Sequence, residues 1–238
     1  LMDLFVANMW GNNNTLYHND GNGKFSLAST GLISADGGNS QSGSWVDFDN
    51  DRDLDLFVSN ASDQEDFLYV NNGDGTFTKN TSSIISTEAG HAMGSVWGDF
   101  DNDGDQDLYV VHDNGNTNSL FYNYGSGGFN KVITSDPATD TENSVSPMIS
   151  DFDNDGDIDI FVTNRNGEAN VLYVNDAASC GNTWVCINLT GNASNKSGVG
   201  ARLELKANID GVDTWQTRVI TTRSGGISAQ SSMKAHFG

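Results

Sequence analysis

The strongest constraint on this chain is an internal repeat. Three segments align without a gap: WVDFDNDRDLDLFV from Trp45, WGDFDNDGDQDLYV from Trp97 and ISDFDNDGDIDIFV from Ile149. Their acidic residues recur every 52 positions, from Asp47 to Asp99 to Asp151 and from Asp55 to Asp107 to Asp159. One more step back from Asp55 reaches Asp3 in MDLFV, so the sequence is expected to open inside a further copy whose acidic loop is missing. Repeats of this length are single supersecondary units that cannot bury an apolar face alone and must stack on their neighbours.

Each copy carries the same order of pieces. In the third, a short apolar stretch from Ser95 to Trp97 precedes the acidic loop, and a strand rich in aromatic and β-branched residues runs from Leu108 to Val111. A polar loop, a strand around Leu120 to Tyr122, a glycine turn from Gly125 to Gly128 and a last strand from Phe129 to Ile133 complete it. The second unit has the hairpin turn Asn72-Gly73-Asp74-Gly75 before Phe77, and the first has Asn19-Asp20-Gly21-Asn22-Gly23 before Phe25. Two prolines against 27 glycines fit many tight turns and few long helices. The expected class is all-β: a partial arc of four-stranded β-propeller blades over residues 1–178, followed by a small β domain over 179–238. The units are expected at about 1–43, 44–94, 95–146 and 147–178.

Charge narrows the partners. With 32 Asp and Glu against 11 Lys and Arg, the net charge is −21, which excludes the basic face that nucleic acid requires. No apolar run approaches the roughly 20 residues that span a bilayer, so membrane insertion is not expected. Aromatic residues at 10% support a packed core rather than a solvating acidic tail.

Five of the acidic residues sit in each loop, at alternate positions. A hard cation such as Ca²⁺ takes six to eight oxygen ligands, which a tight loop supplies from carboxylates at positions 1, 3, 5 and 9 and a carbonyl at 7. This assigns Asp99, Asp101, Asp103 and Asp107 as side-chain ligands, with Asp105 giving its backbone oxygen. Asp151, Asp153, Asp155 and Asp159 with Asp157 repeat the set, as do Asp47, Asp49, Asp51 and Asp55 with Asp53. About three Ca²⁺ sites are expected, with Mg²⁺ the second choice because it demands a stricter octahedron. Glycine at the sixth position relieves a turn that needs positive φ, whereas Arg52 occupies that place in the first loop and is expected to strain it and weaken the site. Asp also forms ordinary turns, but five in nine residues, copied three times, repel one another without a counter-ion. An EF-hand is excluded, since position 12 carries no glutamate and a strand follows the loop.

The D-x-D-x-D-G-D-x-D-L loop, with W-G-D-F before it and L-Y-x-N-x-G-x-G-x-F after it, resembles the FG-GAP or VCBS-type repeats of integrin α-subunit propellers and their bacterial relatives. The resemblance covers roughly residues 1–176 and implies a structural Ca²⁺ in each loop, with ligands commonly met on the opposite face. The segment from Asn182 to Gly238 resembles the ASPIC/UnbV domain that follows such repeats in cartilage-acidic-protein-like proteins. Trp184, Leu189, Gly191, Ser194, Asn195, Lys196, Gly198, Gly200, Ala201 and Arg202 carry that likeness, then Gly226, Gln230, Ser232, His236, Phe237 and Gly238. Family members usually continue past H-F-G, so this domain is expected to be truncated.

Alternation places Val185, Ile187 and Leu189 on one face, then Ala201, Leu203 and Leu205, then Trp215, Thr217 and Val219. Arg202, Arg218, Arg223, Lys196 and Lys206 make this the basic part of the molecule, complementary to the acidic repeats. Cys180 and Cys186, six apart, either close a small disulfide in an oxidising compartment, the favoured reading, or remain free thiols. The sequons at Asn13, Asn60, Asn80, Asn188, Asn192 and Asn195 do not establish glycosylation in so Asn-rich a chain.

No catalytic constellation declares itself. His18 and His112 are expected in edge or loop positions and His236 in a structural one, leaving His91 as the best functional candidate. The loops Asn8 to Asn14, Asn60 to Asp66, Asp113 to Asn118 and Asn164 to Asn170, with Trp10 nearby, are expected on the face opposite the metals, where they could bind sugars or simply be wet. Trp45, Trp97 and Trp184 read as core. The expected function is a secreted or cell-surface, calcium-binding recognition or adhesion module for a protein or glycan ligand. The alternative is a propeller-based polysaccharide lyase or hydrolase using His91.

Overall fold

A computed structural model describes residues 2–28, 31–176, 183–192, 195–209, 211–222 and 233–238. The repeats form four successive antiparallel sheets. The first blade holds β1 (Leu4–Val6), β3 (Thr15–Gly21) and β4 (Lys24–Leu27), while β2 (Asn12–Asn13) leaves it to pair with β5 (Gly37–Gly38) at the entry of the next. The second is β6 (Ser40–Val46), β7 (Asp55–Asn60), β9 (Phe67–Asn71) and β10 (Phe77–Asn80), with β8 (Gln64–Glu65) paired to β11 (Ala89–Gly90). The third is β12 (Ala92–Gly98), β13 (Asp107–His112), β14 (Ser119–Asn123) and β15 (Phe129–Val132). The fourth is β16 (Ser144–Ser150), β17 (Asp159–Asn164) and β18 (Val171–Tyr173).

This is the expected propeller-like, all-β architecture, as an arc without closure. The inner strands β6, β12 and β16 lie side by side, and Ser44 and Ser95 meet across them at 3.2 Å. They begin ahead of the apolar stretch visible in the sequence, because their first halves are small residues such as Ser42, Gly43 and Gly94 that fit where blades crowd together. A register shift between Ser40 and Ser42 recurs between Ala92 and Gly94 and between Ser144 and Ser146, bending each inner strand at the same place. Single helical turns at Leu32–Ser34, Ile84–Thr87 and Asp136–Thr139 join blades and bury Ile33, Ile85 and Ala138. No helix among the described residues is long and apolar enough to cross a membrane.

The cores lie between blades rather than within them. Val46, Phe57, Leu68, Trp97, Leu108 and Phe121 fill the seam between the second and third blades, where Trp97 meets Phe57 edge-on at 5.8 Å. Tyr109, Leu120, Ile160 and Val162 fill the next seam. Trp97 is core as expected, and Trp45 packs half-buried against the seam of Leu56, Val58 and Tyr69.

The C-terminal unit has β19 (Val185–Asn188) paired with β22 (Lys234–Phe237) and β20 (Arg202–Ile209) paired with β21 (Val212–Val219). Ile187, Leu189, Ala201, Leu203 and Leu205 pack on Ile220, Ala235 and Phe237, matching the alternation in the sequence. Trp215 does not join them: it is 36% exposed and lies beneath the Arg52 guanidinium, 4.7 Å from the ring centroid. Trp184 is also outside this core, 41% exposed and stacked on His236. Cys186 is half-buried on β19, whereas Cys180 and Arg223 lie outside the described residues.

Candidate metal loops

Each acidic loop joins the first two strands of a full blade, between β6 and β7, β12 and β13, and β16 and β17. The chain turns through two left-handed residues in each. The fourth position is Asn50, Asn102 or Asn154 at φ 60, 56 and 64°, and the sixth is Arg52, Gly104 or Gly156 at φ 79, 97 and 100°. The sixth-position glycine is thus required as expected, and Arg52 is held in the strained region. Sequence reading missed the left-handed asparagines, although Asn is the non-glycine residue that tolerates this conformation best.

Carboxylate oxygens converge within 4.8 Å in all three loops: Asp47, Asp49 and Asp51 in the first, Asp99, Asp101 and Asp107 in the second, Asp151, Asp153 and Asp159 in the third. Positions 1 and 3 are common to all. Asp55, Asp103 and Asp155 lie outside these tightest groups, as do Asp53, Asp105 and Asp157. In the second and third loops the side chain at the seventh position is occupied elsewhere. Asp105 Oδ1 accepts from Asn50 Nδ2 at 2.5 Å, and Asp157 Oδ1 accepts from Asn102 Nδ2 at 2.7 Å, so each loop is tied to the next.

One oxygen of the first aspartate is in the same state in every loop. The N–H of the sixth residue donates to one oxygen in the first two loops, Arg52 to Asp47 Oδ1 at 3.2 Å and Gly104 to Asp99 Oδ2 at 3.1 Å. The other oxygen is buried without any hydrogen-bond partner: Asp47 Oδ2, Asp99 Oδ1 and, in the third loop, Asp151 Oδ1. A buried carboxylate oxygen left unpaired is costly, and a cation among the converging carboxylates removes that cost. The donor set of hard oxygens fits Ca²⁺.

Ninth-position aspartates are fixed by the backbone. Asp107 accepts from the N–H of Phe100 and of Asn123, both at 2.8 Å, and Asp159 accepts from Phe152 at 2.6 Å and Asn175 at 2.9 Å. Asn123 and Asn175 also reach across the seam to the carbonyls of Phe48 and Phe100. This explains the asparagine of the L-Y-x-N motif, a positioning role invisible in spacing alone.

Burial sets the electrostatics. It pushes Asp55 up to about 8 and Asp99 to about 7, and burial with the neighbouring Asp103 charge pushes Asp101 and Asp105 to about 6. Asp99 is raised despite the opposing Arg218 guanidinium 3.9 Å away. Without a cation the first two loops resist full ionisation.

On the opposite face the polar loops close in one repeated way. A backbone N–H donates to the side chain six residues on: Asn8 to Asn14, Asn60 to Asp66, His112 to Asn118 and Asn164 to Asn170, at 2.7 to 2.9 Å. Much of their Asn content is therefore structural. His91 Nδ1 lies 3.1 Å from the Ser62 N–H and 3.2 Å from Asn114 Nδ2. His18 is exposed on β3 beside Asp3. His112 departs from the edge or loop position expected of it: it ends β13 but is only 3% exposed, with Gly90 of β11 packed against its ring.

Comparison with known proteins agrees with this geometry. The FG-GAP-like repeat matches three times, over residues 1–58, 47–110 and 99–162. Cartilage acidic protein 1 of Xenopus tropicalis is 33% identical over 127 residues, and that of Homo sapiens 32%, each alignment covering 50% of this chain. The match spans 19% of the length of either relative. With its repeated loops, blade sheets and these matches together, the chain belongs to the FG-GAP-like repeat family.

Proposed function

We propose that each of the three loops holds one Ca²⁺ and that the chain forms part of an extracellular recognition or adhesion module. The observation that carries the calcium reading is the unpartnered, buried oxygen of the first aspartate, repeated in Asp47, Asp99 and Asp151. Bound there, the ion supplies fixed positive charge between two strands of one blade. The side chains of Asp47, Asp49, Asp51 and Asp55, of Asp99, Asp101, Asp103 and Asp107, and of Asp151, Asp153, Asp155 and Asp159 present oxygens to it. Asp53, Asp105 and Asp157 offer their carbonyls, and the side chains of the latter two brace the neighbouring loop.

The recognition reading is supported by the likeness of the loops to those of integrin α-subunit propellers and by the similarity to cartilage acidic protein 1. We assign the C-terminal unit to the ASPIC/UnbV type on Trp184, Lys196, Gly198, Gly200, Arg202 and the terminal His236-Phe237-Gly238. A protein or glycan ligand would meet the face of Trp10, His91 and Asn114, away from the metals. The lyase or hydrolase alternative gains nothing from the contacts of His91, which are to an amide N–H and an asparagine.

Binding of the immobilised chain to arrays of extracellular proteins and glycans, with and without EDTA, tests this function. Calcium-dependent retention of a protein or glycan is the expected result. New reducing ends or unsaturated products from a polysaccharide panel would instead establish catalysis.

A further inference from the structure

The C-terminal unit rests on the acidic loops and meets the sixth position of each. At the first loop, Arg202 donates to the carbonyl of Arg52, and the Arg52 guanidinium pairs with Glu204 at 2.7 Å. At the second, a Cβ added to Gly104 would come within 2.3 Å of Ile209 Cδ1. At the third, His236 Nε2 lies 2.8 Å from the Gly156 carbonyl, and a Cβ on Gly156 would fall 1.8 Å from Trp184. Glycine is therefore needed at these positions for close approach as well as for φ.

The middle loop receives more than contact. Gly238 N–H donates to Asp99 Oδ2 at 3.1 Å, and Arg218 Nη2 stands 3.9 Å from the same oxygen. The Arg218 side chain is only 10% exposed. Its Nε donates to the His236 carbonyl at 2.9 Å, Nη2 to Gln216 Oε1 at 3.2 Å, and its Cζ sits 5.0 Å from the Phe237 ring. A fixed cation thus lies behind an aspartate whose other oxygen, Oδ1, is unpartnered.

We propose that Arg218 is an internal counter-cation for the middle loop: it holds the C-terminal unit on the arc when that loop lacks metal, and it lowers the loop's affinity for calcium. The inference rests on the calcium reading above. Two cations sharing one carboxylate compete, so metal binding weakens the hold of Arg218 as much as Arg218 weakens the metal, the two effects being reciprocal. Because a rigid neighbour supplies the charge, calcium occupancy of this loop and seating of the C-terminal unit become linked.

Comparison of the full chain with Arg218→Gln and Arg218→Lys tests the proposal. Each protein is loaded with calcium, so that Arg218→Gln is folded at the start, and its dissociation rates are followed after mixing with excess chelator, while melting is recorded in EDTA and in calcium. In Arg218→Gln one calcium should leave roughly tenfold more slowly, a coupling of ordinary size between two sites. That variant should also melt lower in EDTA and gain more from calcium than the parent. Arg218→Lys, which keeps the charge, should stay near the parent in both. Unchanged dissociation in Arg218→Gln, or a lysine variant that behaves like the glutamine one, overturns the proposal and leaves the calcium reading standing. If none of the three proteins binds calcium, both fall.

Discussion

Asn102, fourth in the middle loop, donates from Nδ2 to Oδ1 of Asp157, seventh in the next loop, at 2.7 Å and with both side chains buried. Asn50 and Asp105 repeat the bond one blade earlier. The acidic loops are therefore a linked row rather than independent turns. Asn102→Ala removes a buried hydrogen bond to a charged group and should cost about 2–3 kcal/mol in urea unfolding. Asn50→Ala, at a half-buried site, should cost less.

Two glycines separate backbone strain from crowding. Gly115 has φ 74° and open space around its Cα, so Gly115→Ala should lose only the left-handed penalty, about 1–2 kcal/mol. Gly156 has φ 100° and faces Trp184, so Gly156→Ala should lose clearly more and expose the C-terminal unit to proteolysis. Equal losses at the two sites would contradict the docking described here.

His112 gives a pH dependence with a definite sign. Burial lowers it from 6.5 to about 4, so the unfolded chain binds its proton first. Its contribution is complete above about pH 6.5 and is lost as pH falls toward 4, by up to about 3 kcal/mol. The equivalent residue of the neighbouring blades is asparagine, and Asn60 Nδ2 and Asn164 Nδ2 each donate to the carbonyl five residues on. His112→Asn should fold and flatten the stability profile between pH 4 and 6.5.

Much of this was legible from spacing. A period of 52 placed the blades, and the alternate aspartates marked the loops in which carboxylates converge. What spacing hides is contact between distant parts. Trp184 read as core and Trp215 as part of an apolar strand face, yet both stay partly exposed, one against Gly156 and the other beneath Arg52 of the repeats. Arg52 read as strain on its loop, and spacing gave no sign that its guanidinium is drawn onto Trp215 and Glu204. His112 read as an edge or loop residue because its burial depends on Gly90 of β11, more than twenty positions away in the sequence.

The raised aspartates predict opposite pH behaviour with and without metal. In EDTA the folded state holds protons that the unfolded chain has released, so stability should fall as pH rises from about 4, where the unfolded carboxyls ionise, until it levels off past the folded values of about 6 for Asp101 and Asp105, about 7 for Asp99 and about 8 for Asp55. In calcium, which requires the charged carboxylates, that decline should vanish. Thermal melts at several pH values check both.

The most direct test of the account is a calcium titration of the EDTA-stripped chain that follows melting temperature and counts bound metal by equilibrium dialysis. Three calcium ions per chain and a melting temperature that climbs with free calcium are predicted, each occupied site contributing about 2.7 kcal/mol at a hundredfold excess over its Kd. A chain that melts at the same temperature in calcium and in EDTA, or binds none, would contradict it.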